Sequence, residues 1–123
     1  MKKILIVDDA VTVRMYHRQL MEALGFSVTE AVNGIEALEK SFSEHFDLYL
    51  VDVNMPKMDG YRLVQEMRKT PELQAAPVIM ISTEESELDK EKAYLAGANF
   101  YIVKPAKMDE LKTYAAILTG KVL

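Results

Sequence analysis

Short apolar runs that stop abruptly on polar residues are the feature that most limits what this chain can become. Ile4 to Val7 is continuous, rich in β-branched side chains and halted by Asp8-Asp9. Leu48 to Val51 halts at Asp52, Val78 to Ile81 at Ser82-Thr83, and Phe100 to Val103 at Lys104. Apolar runs without polar alternation fit strands buried on both faces, which need helices above and below the sheet. The intervals supply those helices. Val13, Tyr16, Leu20 and Leu24 recur at helical spacing, with Thr12 as a candidate cap and Gly25 as a left-handed stop. Asn33 is placed to cap a second helix carrying Ile35, Leu38 and Phe42, while Leu63, Val64 and Met67 mark a third that ends before Pro71. Ser86, with Asp89 three positions on, caps a fourth bearing Leu88, Ala93 and Leu95 and closed by Gly97. Leu111, Ala115 and Leu118 define a fifth from Asp109 to Leu118, with Gly120 beyond it, and Ser27 to Glu30 reads as a short strand.

Five strands alternating with five helices predict an α/β fold, a doubly wound parallel sheet, because right-handed crossovers place helices on both faces. A chain of 123 residues without linker, repeat or low-complexity segment is expected to form one domain over residues 1–123. Ligands of such sheets bind beyond the carboxyl ends of the strands. That rule gathers Asp8, Asp9, Asp52, Ser82, Thr83 and Lys104 at one edge.

Charge and composition narrow the function classes. A net charge of -4 argues against direct nucleic-acid binding, which relies on Lys and Arg meeting phosphates. The absence of cysteine removes disulfides, zinc thiolates and thiol nucleophiles and fits a reducing compartment, so a cytoplasmic location is expected. Met1-Lys2-Lys3 resembles the opening of an export signal, but Asp8 and Asp9 cut the apolar stretch too short for export or membrane insertion.

Converging carboxylates repel one another and raise each other's pKa unless a cation neutralises them. With oxygen donors, no cysteine and only two histidines, the set suits Mg2+ better than a soft metal. A carboxylate beside such a cation can attack a phosphoryl group, with Lys104 and the Ser82 hydroxyl holding the transferred oxygens. Taken singly, each residue has a plainer reading. The Asp pair could cap a helix, Asp52 and Asn54 could be turn residues, Lys104 a solvated lysine, and Ser82 bonded to nearby backbone. Their convergence outweighs those readings. His17 reads as a packed residue of the first helix, His45 as loop surface, and the run from Glu84 to Lys92 as a solvated helix face. Met55, Met58 and Met108 are candidates for exposed thioethers near the site.

Asp8-Asp9, Val51-Asp52-Val53-Asn54-Met55-Pro56, Met58-Asp59-Gly60, Ile81-Ser82-Thr83 and Val103-Lys104-Pro105 together resemble a bacterial two-component response-regulator receiver domain. Among these the chain is most similar to stand-alone chemotaxis-type receivers. The resemblance implies a flavodoxin-like (βα)5 fold with strand order 2-1-3-4-5. It makes Asp52 the acceptor of a phosphoryl group from a histidine kinase or phosphotransfer protein. Asp9 and Asp52 would bind Mg2+ directly, Asp8 through water, and Asn54 through its backbone carbonyl. Lys104 would contact the phosphate, with a cis bond to Pro105. The Asn54 side chain, Thr83 and Glu84 stand at positions that tune phosphoryl lifetime. Ser82 and Tyr101 form the switch pair, with Tyr101 turning inward behind Ser82 and remodelling the face of the fourth helix, fifth strand and fifth helix.

Two departures stand out: Thr83 is bulkier than the Ala or Gly often found there, and Ala106 replaces a frequent Phe, leaving a packing gap under the fifth helix. The implied function is a phosphorylation-driven interaction switch, with chemotaxis or motility as a candidate pathway and an effector protein as reader if the chain is complete. It would catalyse only its own phosphorylation and dephosphorylation. A monomer is expected, with a phosphorylation-dependent dimer as the alternative. The rivals are a Mg2+-dependent phosphatase, which would need a second Asp where Asn54 stands, a receiver that never turns over phosphate, and a receiver cut from a longer DNA-binding regulator.

Overall fold

Every apolar run becomes a rung-bearing strand in the computed structural model, which describes residues 1–121. The strands are β1 (Lys3–Val7), β2 (Ser27–Ala31), β3 (Leu48–Asp52), β4 (Val78–Ser82) and β5 (Phe100–Val103). They form one parallel sheet in the order β2-β1-β3-β4-β5. Between and after them lie α1 (Val11–Ala23), α2 (Gly34–Ser43), α3 (Gly60–Lys69), α4 (Glu87–Ala96) and α5 (Met108–Thr119). Successive strand residues point to opposite faces, and both faces are covered. Leu5, Val7, Tyr49, Val51 and Met80 meet Leu63, Val64 and Met67 of α3 on one side. Ile4, Ile6, Leu50, Ile79, Ile81 and Ile102 meet Met21 of α1 and Leu111 and Ala115 of α5 on the other.

Register carries the polar strand ends to one edge. Val7 pairs with both Ala31 and Val51, so Asp8 leaves β1 beside the end of β3, where Asp52 pairs with Ile81. Ser82 pairs with Val103, which puts Lys104 one residue beyond the last rung of β5.

Three expectations need correcting. Thr12 lies inside α1; the N-cap is Ala10, which has no side-chain acceptor, and Asp8 Oδ1 instead accepts the Ala10 N–H at 2.9 Å. The apolar stripes of α2 and α4 hold only in part: Leu38 packs on the core and Ala93 is within it. Phe42, Leu88 and Leu95 are exposed, whereas Gly34 and Ala37 of α2 and Ala93 and Ala96 of α4 are buried. At the start of α2 the reason is close approach: a Cβ on Gly34 would already stand 2.8 Å from the Met58 side chain in the β3–α3 loop. Met55 and Met58 are half-buried against the first core layer rather than exposed. The caps at Asn33 and Ser86 are present, accepting from the Glu36 and Asp89 N–H groups, and Asp59 caps α3 in the same way through Arg62.

The β3–α3 loop contains Lys57 at φ +67°. That left-handed conformation crowds the Cβ of an L residue against its own carbonyl and suits Asn better than Lys. Lys57→Asn is therefore expected to raise unfolding free energy by about 0.5–1 kcal/mol. Urea melts compare the two proteins, and a variant no more stable than wild type would contradict the strain at this residue.

Candidate functional site

At the carboxyl edge, Asp8 and Asp52 are buried, Asp9 is exposed, and one oxygen from each of the three lies within 4.8 Å of the others. Lys104 reaches in from β5. Its Nζ stands 2.7 Å from Asp52 Oδ1 and 3.2 Å from Asp8 Oδ2. Arg14, one turn into α1, donates from Nη1 to the Asp8 carbonyl at 2.7 Å and from Nε to Glu30 at 2.8 Å, fixing the turn after β1. Arg14 was not among the residues singled out from sequence. The signal that could have found it is a basic side chain early in α1 opposite an acidic one on the neighbouring strand.

The charges are unequal in their comfort. Burial pushes the Asp52 carboxyl above the ordinary carboxylate range; the hydrogen bond from Lys104 opposes this, and repulsion from Asp8 and Asp9 adds to it. Burial presses on the Lys104 ammonium too, but its bond and attraction to Asp52, then Asp8, hold it above its ordinary value. Lys104 thus bridges two of the three carboxylates, and Asp52 remains pushed toward protonation. Oxygen donors with uncompensated negative charge are the chemistry a hard divalent ion requires, so the residues fit Mg2+.

Ser82 is buried; its Oγ accepts the Glu84 N–H at 3.1 Å and its carbonyl accepts the Lys104 N–H at 2.7 Å. Thr83 and Glu84 are exposed on the loop that follows, and Asn54 is exposed two residues past Asp52. Tyr101 is already turned inward: it is buried, and its hydroxyl donates to the Glu84 carbonyl at 2.8 Å. The inward turn attributed to phosphorylation is therefore an arrangement this structure already occupies. The Lys104-Pro105 bond is cis. Ala106 is fully buried in the core layer that holds Leu111 and Ala115 of α5. On the α1 side of the Lys104-Pro105 segment, a cavity of about 330 Å³ is lined by Thr12, Val13, Tyr16, His17, Thr83, Lys104 and Pro105. A larger cavity of about 620 Å³ lies among residues 41–47, 49 and 71–77 and contains none of Asp8, Asp9, Asp52, Ser82 and Lys104.

A sequence model described as "Response regulator receiver domain" matches residues 4–116. The chain belongs to that family. As a receiver domain of two-component phosphorelay signalling, it is 42% identical to the gliding motility regulatory protein of Myxococcus xanthus over 83% of its length, although it spans only 13% of that protein. It is similar to the Vibrio cholerae chemotaxis protein CheY4, with 32% identity, a TM-score of 0.89, and coverage of 96% of this chain and 98% of that one. It also matches the receiver domain of the Pseudomonas aeruginosa sensor histidine kinase PA1611, solved with a magnesium ion in the active-site cleft, at 28% identity and a TM-score of 0.90, covering 98% of each chain. No helix among the described residues is long and apolar enough to cross a membrane.

Proposed function

We propose that this receiver domain is a phosphorylation-driven switch whose acceptor is Asp52, charged by a phosphohistidine of a histidine kinase or phosphotransfer protein. The observation that carries the reading is the Lys104 ammonium held between Asp52 and Asp8 inside a three-carboxylate cluster. Asp8, Asp9, Asp52 and the Asn54 backbone carbonyl would hold Mg2+, which when bound neutralises charge on the carboxylates and the incoming phosphoryl oxygens. An Asp52 carboxylate oxygen attacks phosphorus. The new P–O bond forms as the donor's P–N bond breaks, and that electron pair stays on the imidazole nitrogen. Lys104 and the Ser82 hydroxyl then hold oxygens of the transferred group.

Phosphorylation adds nearly two negative charges and strong acceptors, which draw Ser82 Oγ from the Glu84 N–H and favour the inward Tyr101 seen here. The exposed Leu88, Tyr94, Leu95 and Ile117 on α4 and α5 form the surface through which an effector protein reads the change. Asn54, Thr83 and Glu84 set phosphoryl lifetime by controlling the approach of water. The relatives named for gliding motility and chemotaxis support motility control as the pathway. The domain turns over only its own phosphoryl group.

Incubation with Mg2+ and acetyl phosphate, followed by intact mass, is expected to show one added phosphoryl group that is absent in Asp52→Asn and on removal of Mg2+ with EDTA. No adduct on the wild-type protein would remove the reading. Steady hydrolysis of p-nitrophenyl phosphate, lost in Asp52→Asn, would make the protein a phosphatase instead.

A further inference from the structure

We infer that Tyr16 is a positioning residue for the phosphoryl-transfer site, acting through the loop that carries Lys104; this rests on the function proposed above. The Tyr16 hydroxyl donates to the Ala106 carbonyl at 2.8 Å, tying α1 to the β5–α5 loop. The segment from Lys104 to Ala106 is then held at both ends. Its first residue is bonded through the backbone to Ser82, and its last through Tyr16. On the α1 side Lys104 and Pro105 border the cavity described above, whereas Ala106 is packed in the core layer of Leu111 and Ala115. A hydrogen bond replaces the anchoring that a large side chain after Pro105 would supply.

The arrangement has a consequence for charge geometry. α1 begins directly after Asp8 and Asp9, so a bond from α1 to Ala106 couples the carboxylate side of the site to the ammonium side. Tyr16 touches no reacting group. Its effect passes through the placement of Lys104 Nζ over Asp52 and Asp8.

Tyr16→Phe keeps the ring and removes only the donor, and the site is half-exposed, so the variant is expected to fold. Loss of one hydrogen bond predicts a maximal rate of phosphorylation by acetyl phosphate lower by about 3- to 10-fold. The half-saturating donor and Mg2+ concentrations should stay unchanged. In a Lys104→Met background, Tyr16→Phe should cost nothing further, since the group it positions is gone. A wild-type rate in Tyr16→Phe, or the same fractional loss with and without Lys104, would overturn the inference. A second measurement is independent of turnover: the Lys104 ammonium signal in ¹⁵N spectra should be protected from exchange in the wild type and lose that protection in Tyr16→Phe. If no phosphoryl group is taken up at all, the proposed function falls while this signal still decides the role of Tyr16, and equal protection in both proteins would end it.

Discussion

Gly60→Ala is expected to destabilise the domain by about 3 kcal/mol and to abolish phosphoryl uptake at Asp52. Gly60 opens α3 directly beneath the end of β3, where its N–H donates to the Val53 carbonyl at 2.8 Å. A Cβ there would stand 2.3 Å from the Asp52 carbonyl oxygen, 2.9 Å from Met80 Cε and 3.0 Å from Val53 Cα. The Met80 methyl can yield, but the Asp52 and Val53 backbone cannot without shifting the strand end that carries the proposed acceptor. In an unobstructed helix Ala is favoured over Gly by up to roughly 1 kcal/mol, so a net loss measures the clash. Gly120→Ala provides the control, because it has φ +72° but no atom of the described residues within 4 Å of its Cβ. That change should cost only about 1 kcal/mol of backbone strain. Urea melts of the two variants, with acetyl phosphate labelling followed by mass, check both parts. A Gly60→Ala protein as stable as Gly120→Ala, or one still labelled at the wild-type rate, would show that α3 and β3 are less tightly apposed.

The strands and the site edge were legible for one physical reason: a strand buried on both faces leaves no room for a polar residue until it ends. Asp8, Asp52, Ser82 and Lys104 therefore announce both where strands stop and where chemistry collects. The order of the strands was not readable in that way, since alternation alone does not say which strand neighbours which; it came through family resemblance. The stripes of α2 and α4 misled because size and burial part company where a helix lies close to its neighbours. Phe42 and Leu95 satisfy the helical spacing yet face outward, while Gly34, Ala37 and Ala96 face in. Arg14 escaped notice because its role depends on Glu30, a residue sixteen positions away brought near by β2. The inward Tyr101 is a rotamer, and no spacing rule encodes one.

His17 makes acid the condition under which this fold should weaken most. Its side chain is 2% exposed on the sheet-facing side of α1, and its ring centroid lies 5.5 Å from that of Tyr16. Burial, aided by repulsion from Lys104 and opposed by attraction to Asp8, brings its pKa down from 6.5 to about 4. The unfolded chain therefore binds this proton first as pH falls. Stability from the neutral buried ring is fully present above the unfolded value and is lost as pH drops from 6.5 toward 4. The shift corresponds to roughly 3 kcal/mol. Urea unfolding at a series of pH values for wild type and His17→Leu isolates it, because the carboxylates titrate in both proteins and cancel in the difference. The wild type should lose about 3 kcal/mol more than the variant across that window. Parallel curves would mean that the imidazole meets solvent when folded. Near neutral pH the buried ring carries no charge and adds nothing to the balance among Asp8, Asp9, Asp52 and Lys104.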